Sequence, residues 1–103
     1  MMRVLFVTPA RKQLQEIHDY VAKDNLAAAD AIVSRMEYLA GLLAGSPHMG
    51  RKLIRGRRRR LTVTPYPYLM YYEVMGDTVR ILSVRHTARH RGVFQEAERA
   101  FQI

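Results

Sequence analysis

Four consecutive arginines, Arg57 to Arg60, and a later cluster of Arg85, His86, Arg89, His90 and Arg91 are the residues of this chain best suited to chemistry. Arginines gathered in this way attract phosphates or an acidic protein surface, and a histidine titrates near enough to neutral pH to take or give a proton. On a strand, alternate residues point to opposite faces. Arg58 and Arg60 therefore share the face opposite Leu61 and Val63, while Arg57 and Arg59 fall on the core side at the strand's end, so the run is two pairs and not one patch. His86 beside Arg85 and Arg89 is conceivable as a general base, but residues 78–95 hold no carboxylate to orient its ring. A His86 that ends the last strand and anchors the following turn is the reading favoured. Tyr66, Tyr68, Tyr71 and Tyr72 beside basic strands suggest base stacking. Alternation divides them, with Tyr68, Met70 and Tyr72 on one face and Leu69 and Tyr71 on the other, which makes them packing residues first.

Other chemistry is excluded. The chain has no cysteine, hence no disulfide, thiolate zinc site or cysteine nucleophile. It has no carboxylate or histidine cluster at metal-ligand spacing, no glycine-rich phosphate loop and no nucleophile elbow, so no cofactor and no metal are expected. No apolar window reaches the roughly 18 residues of a membrane span, and Val4 to Val7 is too short for a signal peptide, which predicts a cytoplasmic protein with no membrane partner. The net charge is +8, and its placement matters more than its size. Residues 51–91 hold eleven Arg or Lys against Glu73 and Asp77, whereas the rest of the chain holds six against seven acids. So concentrated a field favours acidic partners and fast, salt-dependent association.

The elements that must position these residues follow from periodicity. With 103 residues and 49% hydrophobic content the chain suits a single domain, 1–103. Met2 to Val7 reads as a short buried strand, and Thr8-Pro9 as an N-cap with proline at the first helical position. Ala10, Leu14, Ile17 and Val21 form one helical stripe. Asp24-Asn25 offers a second cap, and Ala29, Ile32, Met36, Leu39 and Leu43 form another stripe, stopped by Gly45 and Pro47. Residues 8–44 are thus an αα-hairpin. Three strands follow, Arg57 to Thr64, Tyr68 to Met75 and Thr78 to Arg85, with Gly76-Asp77 as a two-residue hairpin turn. Together, 57–85 make an antiparallel meander, and Phe94, Ala97 and Phe101 place a short helix at 93–101. The order β-α-α-β-β-β, helices on one face of a small, mainly antiparallel twisted sheet, is an α+β architecture.

Several of these features, in this order, resemble the ParE/RelE toxin–antitoxin family over residues 3–91. They are Thr8-Pro9-Ala10 before a helix with Leu14, Ile17 and Tyr20; Asn25 with Ala28-Ala29; Ser46-Pro47-His48-Met49-Gly50-Arg51; Arg59-Arg60-Leu61-Thr62-Val63; Tyr66 to Val74; and Val84-Arg85-His86-Thr87-Ala88-Arg89. The resemblance implies a type II toxin, of a kind associated with plasmid stabilisation and stress response. It is silenced by an acidic, partly disordered ParD-like antitoxin that wraps its helices and sheet, in a heterotetramer or larger assembly. RelE-like members cleave messenger RNA on the ribosome, and ParE-like members inhibit DNA gyrase. RelE-like nucleases resemble one another in central-strand arginines and lysines and a late tyrosine, or in a Glu/His pair. Here Leu69 stands in the arginine's place and Phe94 in the tyrosine's, whereas His86-Thr87-Ala88-Arg89 resembles the His-x-x-Arg ending of ParE-like members. Inhibition of gyrase by binding, without catalysis, is therefore the expectation. The alternatives are an mRNA endoribonuclease using His86 and Arg89, or a non-toxic basic nucleic-acid-binding module. The residues expected to meet antitoxin or target are Arg58, Arg60, Arg85, His86, Arg89 and Arg91.

Overall fold

A computed structural model describes residues 1–87. Its elements are β1 (Arg3–Phe6), α1 (Thr8–Ala22), α2 (Leu26–Leu42), β2 (Arg51–Lys52), β3 (Arg58–Thr62), β4 (Tyr68–Met75) and β5 (Thr78–His86). The two helices and the β3-β4-β5 meander lie where periodicity places them. The short strand β2 is an addition, since two residues are too few to carry a periodic signal. The expected C-terminal helix at 93–101 lies outside the described residues.

The helices stand on one face of a five-stranded sheet of order β1-β5-β4-β3-β2. All pairs are antiparallel except β1 with β5, which run parallel at the sheet's edge. That edge position corrects the expectation of a buried first strand: Arg3 and Leu5 are exposed, and only Val4 and Phe6 turn partly inward. The start of α1 is also different. Val7, in extended conformation and with no side-chain cap, occupies the N-cap, and Thr8 already lies inside the helix. Thr8 Oγ1 instead accepts from Arg11 Nη2 at 3.4 Å. Asn25 caps α2 as its type predicts, its Oδ1 accepting from the Ala28 N–H at 3.0 Å. The far end of α2 closes without a left-handed glycine: Leu43, Ala44 and Gly45 donate to carbonyls three residues back, a tightened last turn.

All five predicted α2 stripe residues, Ala29, Ile32, Met36, Leu39 and Leu43, are buried. The α1 stripe contributes Ala10 as a buried residue and Leu14, Ile17 and Val21 as partly buried ones packed on the same core. Complete burial of a side chain such as Met36 or Leu43 stabilises the fold by about 1.5–3 kcal/mol relative to exposure. From the sheet come Tyr68, Met70 and Tyr72 of β4 and Val79, Ile81 and Val84 of β5. The turn at Gly76-Asp77 joins Met75 directly to its partner Thr78, and Gly76 has a φ of 59°, as the first position of such a turn requires.

One irregularity governs the second half of β5. Tyr71 pairs with Ser83 and Tyr72 with Ile81, so Leu82 is an unpaired extra residue. Such a bulge reverses the alternation beyond it. Val79 and Ile81 face the helices before it, and Val84 and His86 face them after it. Ser83 and Arg85 are thereby delivered to the open face, beside Arg80.

Candidate functional site

The open face is organised by register into three rows across β3, β4 and β5. The first is Arg58, Glu73 and Arg80; the second is Arg60, Tyr71 and Ser83; the third is Thr62, Leu69 and Arg85. Strand β2 extends the second row by pairing Arg51 with Arg60. Leu53, Leu69 and Tyr71 form a buried apolar floor. Glu73 is the lone carboxylate of these rows, and its side chain is only 12% exposed. Arg80 Nη1 donates to its Oε2 at 2.8 Å, and Arg58 Nε lies 3.8 Å from its Oε1. A single carboxylate held between two guanidiniums cannot neutralise Arg51, Arg58, Arg60, Arg80 and Arg85, so the face stays positive and attracts anions. Two polar atoms here, Ser83 Oγ and Arg85 Nε, are buried without a hydrogen-bond partner among the described residues.

Arg58, Arg60 and Arg85 are thus brought together on one face, as expected for the first two from alternation and for the third through the bulge. The expectation that Arg57 lies on the core side is corrected: it is exposed in the β2–β3 turn, one residue before the strand begins. Arg59 does face the helical side, where its Nη1 donates to the Gly50 carbonyl at 2.9 Å and the His48 carbonyl at 3.4 Å. Arg89 and Arg91 lie outside the described residues.

His86 stands apart from Arg58 and Arg60, on the helix-facing side of β5. It ends the strand, and its ring meets that of Tyr68 edge-on at 5.0 Å. There it lines a groove of about 570 Å³ with Gln13, Glu16, Ile17 and Tyr20 of α1, and with Arg85 at the rim. Thr87 anchors the chain beyond it, its N–H donating to the Pro67 carbonyl at 2.8 Å. β1 runs beside β5 only as far as Ile81, and Gln13 Oε1 accepts the Val84 N–H beyond it at 2.8 Å. A chain-distant carboxylate, Glu16, therefore shares the groove with His86.

Sequence reasoning missed the clamp behind the arginine run. Tyr72 is fully buried, and its hydroxyl donates to the Pro47 carbonyl at 2.9 Å while accepting the Gly50 N–H at 2.8 Å. Burial pushes the Tyr72 hydroxyl above the usual tyrosine range, opposed by the Gly50 hydrogen bond and the Arg59 charge. A Cβ at Gly50 would sit 2.7 Å from Tyr72 Cε1 and 2.9 Å from the Arg60 carbonyl. The only signal in the sequence was the placing of Tyr72 on the core face of β4. Among the described residues no three His, Cys, Asp or Glu side chains come together to hold a metal ion, and no helix is long and apolar enough to cross a membrane.

This architecture can be set beside known proteins. Residues 4–91 match the family model described as the ParE toxin of the type II toxin–antitoxin system parDE. The chain belongs to the ParE toxin family. It is similar to Toxin RelE2 of Caulobacter vibrioides, with 35% identity over 89 residues that make up 86% of this chain and 99% of that toxin. It is similar also to the putative toxin Y4kP of Sinorhizobium fredii, with 33% identity over 84 residues, 82% of this chain and 86% of the relative. Among solved structures, a chain of the chromosomal ParDE system from P. aeruginosa superimposes with a TM-score of 0.72 at 24% identity, covering 84% of this chain and 96% of its own. That likeness extends to the fold, two helices on a mainly antiparallel sheet. Within the ParE-family domain, the positive open face and the His86 groove are separate features on opposite sides of β5.

Proposed function

We propose that this ParE-family chain is the toxin of a toxin–antitoxin pair and acts by binding DNA gyrase, not by cutting RNA. The observation that carries the reading is the separation of groups on the sheet. RNA cleavage needs a base, a donor to the pentavalent phosphate and an acid within reach of one bond. On the arginine face, the row positions between the cations are taken by Leu69 and Tyr71, both buried, and the carboxylate Glu73 is engaged by Arg80 and Arg58. His86 lies on the helix-facing side of β5. An arrangement of this kind suits recognition of a negatively charged surface better than proton transfer.

The same arginine face is suited to an acidic antitoxin segment lying across β3, β4 and β5 with Arg58, Arg60 and Arg85 as its counter-charges; heterotetrameric assembly is the form to test first. Arg89 and Arg91 join this set by their place in the matched family segment. One observation favours the RNA-cleaving alternative: the relative in Caulobacter is named Toxin RelE2, and His86 with Glu16 is the acid–base pair it would use. Inducing the chain in a bacterium, with and without its neighbouring gene, separates the two. Growth arrest with linearised DNA and an SOS response, relieved by the neighbour, is expected. Cleaved messages with intact DNA, lost in His86→Ala, would sink the gyrase reading, and harmless expression would reject both.

A further inference from the structure

We infer that the β2–β3 hairpin arm is a duplex-DNA-binding element, with Arg51, Lys52, Arg55 and Arg57 engaging phosphates and Ile54 seated in a groove at its tip. Arg51 also borders the open face through its pairing with Arg60, but Lys52, Arg55 and Arg57 lie beyond the three rows, and the inference holds whichever target the toxin attacks. Its base is fixed. Leu53 is only 4% exposed in the floor with Leu69 and Tyr71, and its N–H donates to the Arg58 carbonyl at 3.1 Å. Residues 54–57 form the turn beyond that bond, reversing at Gly56 with a φ of 78°, which a side chain would resist. Arg51 and Lys52 pair with Arg60 and Arg59 behind it.

Two observations identify the partner. Charge comes first: residues 38–72 contain seven Arg or Lys and no Asp or Glu. Arg58 is held by Glu73 and Arg59 by backbone carbonyls, but Arg51, Lys52, Arg55 and Arg57 are exposed and make no ion pair among the described residues. An unbroken run of one sign fits a polymer carrying one charge at every ~1.7 Å of its axis. The apolar tip is the second. Ile54 is 82% exposed, the most exposed large hydrophobic after Met1 among the described residues. An aliphatic side chain so presented, flanked by cations at the turn of a short two-stranded ribbon, has the form of a ribbon entering the major groove or of an apolar wedge between base steps. A-form RNA, whose major groove is too narrow for side chains to read, offers no such seat.

The test is fluorescence anisotropy of the full chain with a two-turn DNA duplex across a salt series. Each phosphate contact contributes about 0.9 to the slope of log K against log salt, so the Arg55→Ala/Arg57→Ala pair is expected to lower the slope by about 2 and weaken binding at least tenfold at low salt. Ile54→Ser is expected to weaken binding severalfold with an unchanged slope. All three positions are exposed, so unchanged thermal melting of each variant separates contact from folding. The inference is overturned if the wild-type chain binds no duplex or if the tip variants bind as it does. It is overturned equally if an RNA duplex competes on equal terms, or if the variants lose an acidic peptide while keeping DNA. Gyrase is absent from this assay, so its outcome and that of the target experiment are independent.

Discussion

Tyr72→Phe removes one oxygen and should cost far more than its surface area suggests. The hydroxyl is fully buried and holds two backbone groups of the segment entering β2, accepting from the Gly50 N–H at 2.8 Å and donating to the Pro47 carbonyl at 2.9 Å. Each lost bond is worth about 1 kcal/mol net, and a buried N–H left without a partner adds to this, for a total of about 2–3 kcal/mol. For a domain of this size that corresponds to a fall in Tm of roughly 10–15 °C. Gly50→Ala attacks the same contact from the other side, since its Cβ would lie 2.7 Å from the Tyr72 ring and hydroxyl and 2.9 Å from the Arg60 carbonyl. Overpacking of this kind costs about 1–3 kcal/mol. Because both changes break one clamp, the double variant should lose less than the two losses together, by about 1 kcal/mol or more. Urea denaturation followed by far-UV circular dichroism measures all three. A Tyr72→Phe loss below about 0.5 kcal/mol, the range of ordinary surface changes, or strict additivity would refute the clamp.

Glu73→Gln should destabilise by about 1–3 kcal/mol in chemical denaturation, since it strips the counter-charge from Arg58 and Arg80, with the half-exposed Arg80 limiting the loss. His18 Nε2 lies 2.8 Å from Asp30 Oδ1 across the helical hairpin, and that hydrogen bond, opposed by desolvation and aided by Asp19, raises the His18 pKa above 6.5. A raised folded-state pKa means the stabilisation is complete below pH 6.5 and fades as pH climbs through the higher folded value. His18→Asn should flatten the fall in Tm over that interval; a profile that keeps its shape would assign the drop to other groups. Arg60→Glu should weaken an acidic antitoxin segment and reduce the salt dependence of what affinity remains, measured by titration calorimetry at two ionic strengths; unchanged affinity would mean that Arg60 is merely solvated.

Much of this molecule was legible in one dimension because the signals are local. A helical stripe repeats within a few residues, so Ala29, Ile32, Met36, Leu39 and Leu43 announce a buried face before any partner is known. The same holds for the cap at Asn25, the turn at Gly76-Asp77, the division of Tyr68 and Tyr72 from Tyr71, and the concentration of positive charge beyond residue 50. What depended on pairing between distant segments was not legible. The bulge at Leu82 exists only relative to β4, yet it decides that Arg85 joins Arg58 and Arg60 while His86 turns to the groove beside α1. Strand β2 is two residues that become a strand because β3 lies alongside, and β1 is half-exposed because it pairs on one side only. Gly50 reads as a loop residue until Tyr72, 22 positions away, closes on it. Residue types and short-range spacing thus determined the elements and the sign of the surface. That Arg58 and Arg60 share a face follows from alternation within one strand, but that Arg80 and Arg85 join them was decided by strand register and the bulge, non-local properties that only the folded sheet possesses.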